Sequence, residues 1–143
     1  MTVEPHSGMV WPYTYYPGPR DAPSGAGSSI SGGGGSLACG DGSWVSGGNS
    51  NVASGLGASI CGGQASVARG DFSSVSGGSG NLASGRSSSI SGGVNNEASA
   101  DGSSVSGGHL NTARGDRSSV SGGLNRSAPA ENNWAAGPFL AGE

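Results

Sequence analysis

The sequence contains no lysine, and its six basic residues are arginines scattered from Arg20 to Arg126. A counterion-releasing nucleic-acid surface needs clustered cations, and so does a polybasic membrane patch, so neither partner class is expected. No apolar run approaches the roughly 20 residues that cross a bilayer as a helix, and no membrane insertion is expected. Large side chains are scarce as well: aromatics make up 6% of the chain. Such a chain cannot build the interlocked core of an ordinary globular domain. Catalytic groups are equally thin. His6 and His109 have no carboxylate or cysteine at a catalytic spacing, and none of the serines sits in a nucleophile elbow. The expectation is a protein that is not an enzyme and carries no cofactor and no metal.

What the chain does have is glycine, 31 residues of 143, with abundant serine. Taken without order, that composition belongs to disordered or low-complexity segments. The order overrides it. Ile30, Val45, Ile60, Val75, Ile90, Val105 and Val120 recur every 15 residues, and each is followed, after one intervening residue, by a glycine pair. Ala38, Ala53, Ala68, Ala83, Ala98, Ala113 and Ala128 form a second column, and Gly40, Gly55, Gly70, Gly85 and Gly115 a third, broken by Ala100 and Ala130. Self-similarity at a fixed period is the mark of a repeat architecture. Fifteen residues are too few for a helical unit, and glycine pairs would dismantle helices. They suit one coil of two short strands and two turns. The fold class expected is therefore all-β, a parallel β-solenoid of seven coils over residues 28–137, closed by a capping coil. At about 4.8 Å per coil its length is roughly 34 Å.

The period of two along a strand places the Val/Ile column (Ile30, Val45, Ile60, Val75, Ile90, Val105, Val120) and the alanine column inside each coil. The glycine pairs and the Gly-Asp steps (Gly40-Asp41, Gly70-Asp71, Gly115-Asp116) read as turns, with glycine supplying positive φ and aspartate bonding nearby backbone. Asn51, Asn81, Asn96 and Asn111 share a column suited to a ladder of amide hydrogen bonds. One branched aliphatic and one alanine per coil bury little apolar area against the entropy of ordering so much glycine. Lateral association is expected for that reason. Its contact is the outward column Leu37, Val52, Val67 and Leu82, which turns polar at Glu97, Thr112 and Ser127.

The stretch Ser74-Val75-Ser76-Gly77-Gly78-Ser79-Gly80-Asn81-Leu82-Ala83-Ser84-Gly85 resembles the head repeat of trimeric autotransporter adhesins (YadA-like heads). That consensus runs Ser-Val-Ala-Ile-Gly-x-x-Ala-x-Ala-x-Gly, with Gly77 here at the Ile position and Asn81 at the first Ala. The resemblance covers about 110 of the 143 residues. It implies a left-handed parallel β-roll in a tight homotrimer, used in adhesins to bind extracellular matrix. The period is one residue longer than the family's, and glycine replaces its second aliphatic. Similar Ser-Val-Ser-Gly-Gly repeats are also familiar from phage-borne and actinobacterial surface proteins.

Residues 1–27 have a different chemistry. Trp11, Tyr13, Tyr15 and Tyr16 lie among Pro5, Pro12, Pro17, Pro19 and Pro23, a composition that reads as an extended or polyproline-like segment without its own core. It is either a leader or cap over the first coil, or an anchoring arm that docks its aromatics on another protein. Trp134 and Phe139 mark a terminal cap over the last coil, since an open coil exposes unpaired strand edges. Residues 138–143 form a tail. The N-terminus, Met1 to His6, has neither the basic nor the apolar region of an export signal.

Several motifs carry less than they suggest. Arg69-Gly70-Asp71 and Arg114-Gly115-Asp116 spell the integrin tripeptide, but Gly-Asp is the repeat's own turn. Asp101, Asp116 and Glu131 stack in one column as exposed turn carboxylates. Cys39 and Cys61 occupy unlike columns two coils apart, beyond disulfide reach, and read as free, semi-buried thiols of a reducing compartment. The function expected is a virion structural protein: a homotrimeric spike, fibre or capsid-decoration protein, made in the host cytoplasm and held to a capsid or tail by its N-terminal arm. The alternatives are a bacterial cell-surface adhesin head and, behind it, an ice-binding solenoid using serine columns such as those of Ser74 and Ser76.

Overall fold

The computed structural model describes residues 21–137. Sixteen strands of two residues each run from β1 (Ala22–Pro23) to β16 (Trp134–Ala135). They form two eight-stranded parallel sheets, one from the odd-numbered strands and one from the even-numbered. Each strand pairs with the one 15 residues on, as in Leu37↔Val52 and Val45↔Ile60. A third, narrow side is laced by single bridges from Gly34↔Asn49 to His109↔Leu124. The chain is thus a parallel β-solenoid of eight coils. A slip of one residue would turn every aliphatic outward, so the columns fix the register.

The core lies where the columns place it. Val45, Ile60, Val75, Ile90, Val105 and Val120 are buried, as are the seven alanines from Ala38 to Ala128. Ile30, near the open end, is half-buried. Polar columns share the interior. Asn51, Asn81, Asn96 and Asn111 are buried, with the hydrogen-bond ladder made to backbone rather than from amide to amide. Asn96 Nδ2 donates to the carbonyls of Gly92 and Gly108, both at 3.0 Å, and Asn96 Oδ1 accepts the N–H of Asn111 at 2.9 Å. The second polar column is less well satisfied: the hydroxyls of Ser43, Ser73, Ser88 and Ser118 are buried without a partner.

One expectation about turns is corrected and another is met. The glycine of the Gly-Asp step is not at positive φ; that conformation falls two residues on, at Gly42, Gly57, Phe72, Ser87, Gly102, Arg117 and Asn132. Gly40 is required for space, because a Cβ there would lie 2.0 Å from the carbonyl oxygen of Gly55 in the next coil. Asp41 and Asp71 bond nearby backbone as expected, reaching one coil back: Asp41 Oδ1 accepts the N–H of Ala26 at 2.8 Å, and Asp71 Oδ1 that of Leu56 at 3.0 Å.

The ladder also begins inside the segment expected to be an arm. Ala22 pairs with Leu37 and Pro23 with Ala38. Asp21 Oδ1 takes the N–H of Ser36 at 2.9 Å, as Asn51 Oδ1 takes that of Ser66 at 3.0 Å. Proline at the alanine position hides this coil from the sequence pattern. The N–H groups of Ala22 and Ser24 donate to Ser36 and Ala38 at 2.9 and 2.8 Å. An N–H at position 23 would alternate to the opposite side, out of the stack, so proline forfeits no bond there. In the last coil Pro129 stands where Cys39 and Arg114 donate to the following coil. Trp134, expected to cap that end, completes the ladder through its backbone while its side chain is 66% exposed. It occupies the outward Ser74 column, and its Nε1 donates to Ser121 Oγ at 2.7 Å. Phe139 lies outside the described residues.

Opposite-signed substitutions test this core. Asn96→Ala orphans the buried N–H of Asn111 and the carbonyl of Gly92, while Gly108 keeps its bond from Val94, and is expected to cost about 2 kcal/mol. Ser88→Ala removes a partnerless hydroxyl and is expected to leave stability unchanged or raise it by about 1 kcal/mol; Ala58 already fills the equivalent position. Val75→Asp is expected to unfold the rod by burying an unpaired charge. Thermal melts followed by circular dichroism read all three, and a native melt for Val75→Asp would refute the inside–outside assignment.

Candidate interaction surfaces

On the sheet of odd-numbered strands, each buried alanine is preceded by an outward residue. Leu37, Val52, Val67 and Leu82 therefore stack in one row across four coils. Leu37 is 37% exposed, and the other three are half-buried. The row continues as Glu97, Thr112 and Ser127. Glu97 meets Arg114 at 3.7 Å, both side chains solvent-facing, a pair worth little to stability. The anchoring-arm residues Trp11, Tyr13, Tyr15 and Tyr16 lie outside the described residues.

Two further apolar groups escape the column analysis. Trp44, Leu56 and Phe72 are exposed around the turn that joins the two sheets. The Phe72 N–H donates to the Leu56 carbonyl at 2.7 Å, and its ring overlies Gly57, where an added Cβ would meet Cδ1 at 3.0 Å. Phe72 has φ of 58° in a column that uses Gly42, Gly57 and Gly102. A bulky residue in that conformation costs roughly 1–2 kcal/mol. The second group is Val94, Leu110 and Leu124 on the narrow side, with Leu110 at φ 59°. Apolar residues that stand alone in a column, as Leu56, Phe72 and Leu110 do, or recur only at a distance, as Val94 and Leu124 do two coils apart, leave no periodic trace. The usable signal was the reverse one, a large side chain where the repeat asks for glycine.

The even-numbered sheet presents a hydroxyl face. Ser59, Ser74, Ser89, Ser104 and Ser119 form a row between Trp44 and Trp134. Ser76, Ser91, Ser106 and Ser121 run beside it, and neither row contains a charged residue.

The remaining motifs are structural. Asp71 of Arg69-Gly70-Asp71 is engaged by Leu56, and Gly70 is buried beneath the next coil. Asp101 Oδ1 accepts the N–H of Arg86 at 3.2 Å, and Glu131 is paired with Arg117. A shallow open depression lies between these turns, lined by Arg86, Asp101, Asp116 and Arg117. Among the described residues no three His, Cys, Asp or Glu side chains are placed to hold a metal. Cys39 and Cys61 are free and exposed, more open than the sequence suggested, because both occupy outward columns.

Replacing Phe72 with glycine is expected to stabilise the rod by about 1 kcal/mol, since it relieves the left-handed strain while removing little buried area. A lower melting temperature for Phe72→Gly would show instead that the ring contributes more by packing on Gly57 than its backbone costs. No protein-family model matches the chain, and the search of curated proteins finds no significant match.

Proposed function

We propose that this chain is a structural rod of a larger particle, a virion spike, fibre or capsid-decoration protein that works as a homotrimer of left-handed β-rolls. The observation that carries the reading is the row of Leu37, Val52, Val67 and Leu82, aliphatic side chains stacked in register over four successive coils on the outside of the rod. The interior is too thin for such residues, and exposed rows of this kind mark contact with another protein. In this reading the rod supplies length and stiffness, the row joins copies side by side, and the aromatic N-terminal segment attaches the assembly to a capsid or tail.

A second reading, ice binding, is favoured by the two uncharged hydroxyl rows of the even-numbered sheet, which are in register from coil to coil. It lacks the methyl groups that a threonine lattice would add.

Light scattering coupled to size exclusion tests the first reading. The full-length protein is expected at three times its chain mass of 13.6 kDa. Val67→Asp with Leu82→Asp is expected to dissociate it without loss of the β signal, because both side chains point outward. A monomeric wild-type protein would reject the trimer, and thermal hysteresis would then decide for or against the hydroxyl face.

A further inference from the structure

The two exposed tryptophans of the rod stand in one outward row of the even-numbered sheet. Trp44 and Trp134 take the Ser74 position of their coils, with Ser59, Ser74, Ser89, Ser104 and Ser119 in register between them. At about 4.8 Å per coil the two positions lie about 29 Å apart along the rod. The row of Ser76 to Ser121 runs beside it, two residues on and thus about 6.6 Å across the strands. The Trp134 indole reaches across both rows, held by its bond to Ser121 Oγ at 2.7 Å. Charge is kept away from this surface. All Asp, Glu and Arg residues among 21–137 lie on the odd-numbered sheet or in the turns that border it, and none lies on the even-numbered sheet.

We propose that this face binds a linear, neutral β-1,4-linked polysaccharide laid along the rod between Trp44 and Trp134. A row of identical hydroxyls at one spacing is matched by a ligand that is itself a repeat, and an extended β-1,4 chain advances per sugar by a distance close to the coil spacing. Serine hydroxyls donate and accept, as sugar hydroxyls do, so each coil meets a sugar in either sense. The indole faces carry negative potential and stack on the C–H face of a pyranose ring. The absence of charge from the face complements a neutral glycan, whereas a uronate or sulfated chain finds no cation there. The same rings count against ice, because they project beyond the short serine side chains at both ends of the row. A rigid crystal plane would rest on the rings alone, while a flexible chain crosses them and reaches the hydroxyls between. A protein partner would find almost no apolar area to bury along the serines. The aliphatic row lies on the other sheet, so the proposal does not rest on the trimer reading.

The test is isothermal titration calorimetry of the full-length protein with cellohexaose, chitohexaose and mannohexaose, with maltohexaose and hexagalacturonate as controls. Saturable binding of at least one of the first three is expected, and none of the controls. Trp44→Ala with Trp134→Ala is expected to weaken that binding about tenfold by removing both stacking surfaces. Ser74→Val, Ser89→Val and Ser104→Val together are expected to weaken it several-fold by removing the hydroxyls between. All five side chains point outward and valine suits a strand, so circular dichroism is expected to show both variants folded. Binding of none of the three β-1,4 sugars overturns the proposal, as does equal binding of maltohexaose. Binding that ignores the tryptophans, or that ignores the valines, overturns it as well, because the sugar then lies elsewhere. Val67→Asp with Leu82→Asp is expected to bind the same sugar as the wild type does, whatever its association state, so loss of the trimer and loss of the glycan site are read separately. Thermal hysteresis without sugar binding would return the face to ice.

Discussion

Everything in this rod depends on how closely one coil can approach the next. Parallel strands stack at about 4.8 Å, and at two places around most coils that spacing leaves no room for a Cβ, Ala100 and Ala130 being the exceptions. One is the Gly40 column, where an added carbon would fall 1.9–2.2 Å from a carbonyl oxygen in coil after coil. The other is the second glycine of each pair, such as Gly48 at φ 89°, which combines the same crowding with a left-handed backbone. The abundance of glycine is therefore the opposite of a disorder signal. It is what allows the coils to close on one another, and the aliphatic, alanine and asparagine columns follow from that closure.

Closeness leaves a narrow interior, and the chain fills it economically. One Val or Ile and one Ala per coil supply the apolar contact, while the asparagines satisfy backbone groups at the corner where the ladder bends. Each links its own coil to the next through carbonyls such as Gly92 and Gly108. The serine column beside Val and Ile is a weaker solution, with five hydroxyls, those of Ser28, Ser43, Ser73, Ser88 and Ser118, sealed in unpaired. Stability is consequently spread evenly along the axis, with no central cluster on which the rest leans.

The solenoid was legible because its cause is periodic. Val75, Ala83, Asn81 and Leu82 each belong to a column, and a column states its burial many times over. The first coil was not legible, since Pro23 stands where alanine should and only its place at the open end makes that harmless. Trp134 was misjudged because its size suggested a lid, whereas its column dictates an outward side chain. Phe72 and Leu110 left no trace because each is alone in its column. What the rod attaches to is the least legible of all. That information lies in surface side chains, where the repeat imposes nothing.

The two end prolines bear on how such a rod acquires its length. Pro23 and Pro129 sit where the terminal coils would otherwise present a donor to a foreign strand, and the coils between them are nearly interchangeable. A unit duplicated in the interior would simply lengthen the stack, with the same two closures carried outward. Dimension is thereby separated from identity: the rod behaves as a ruler graduated in coils, free to change by whole divisions during evolution.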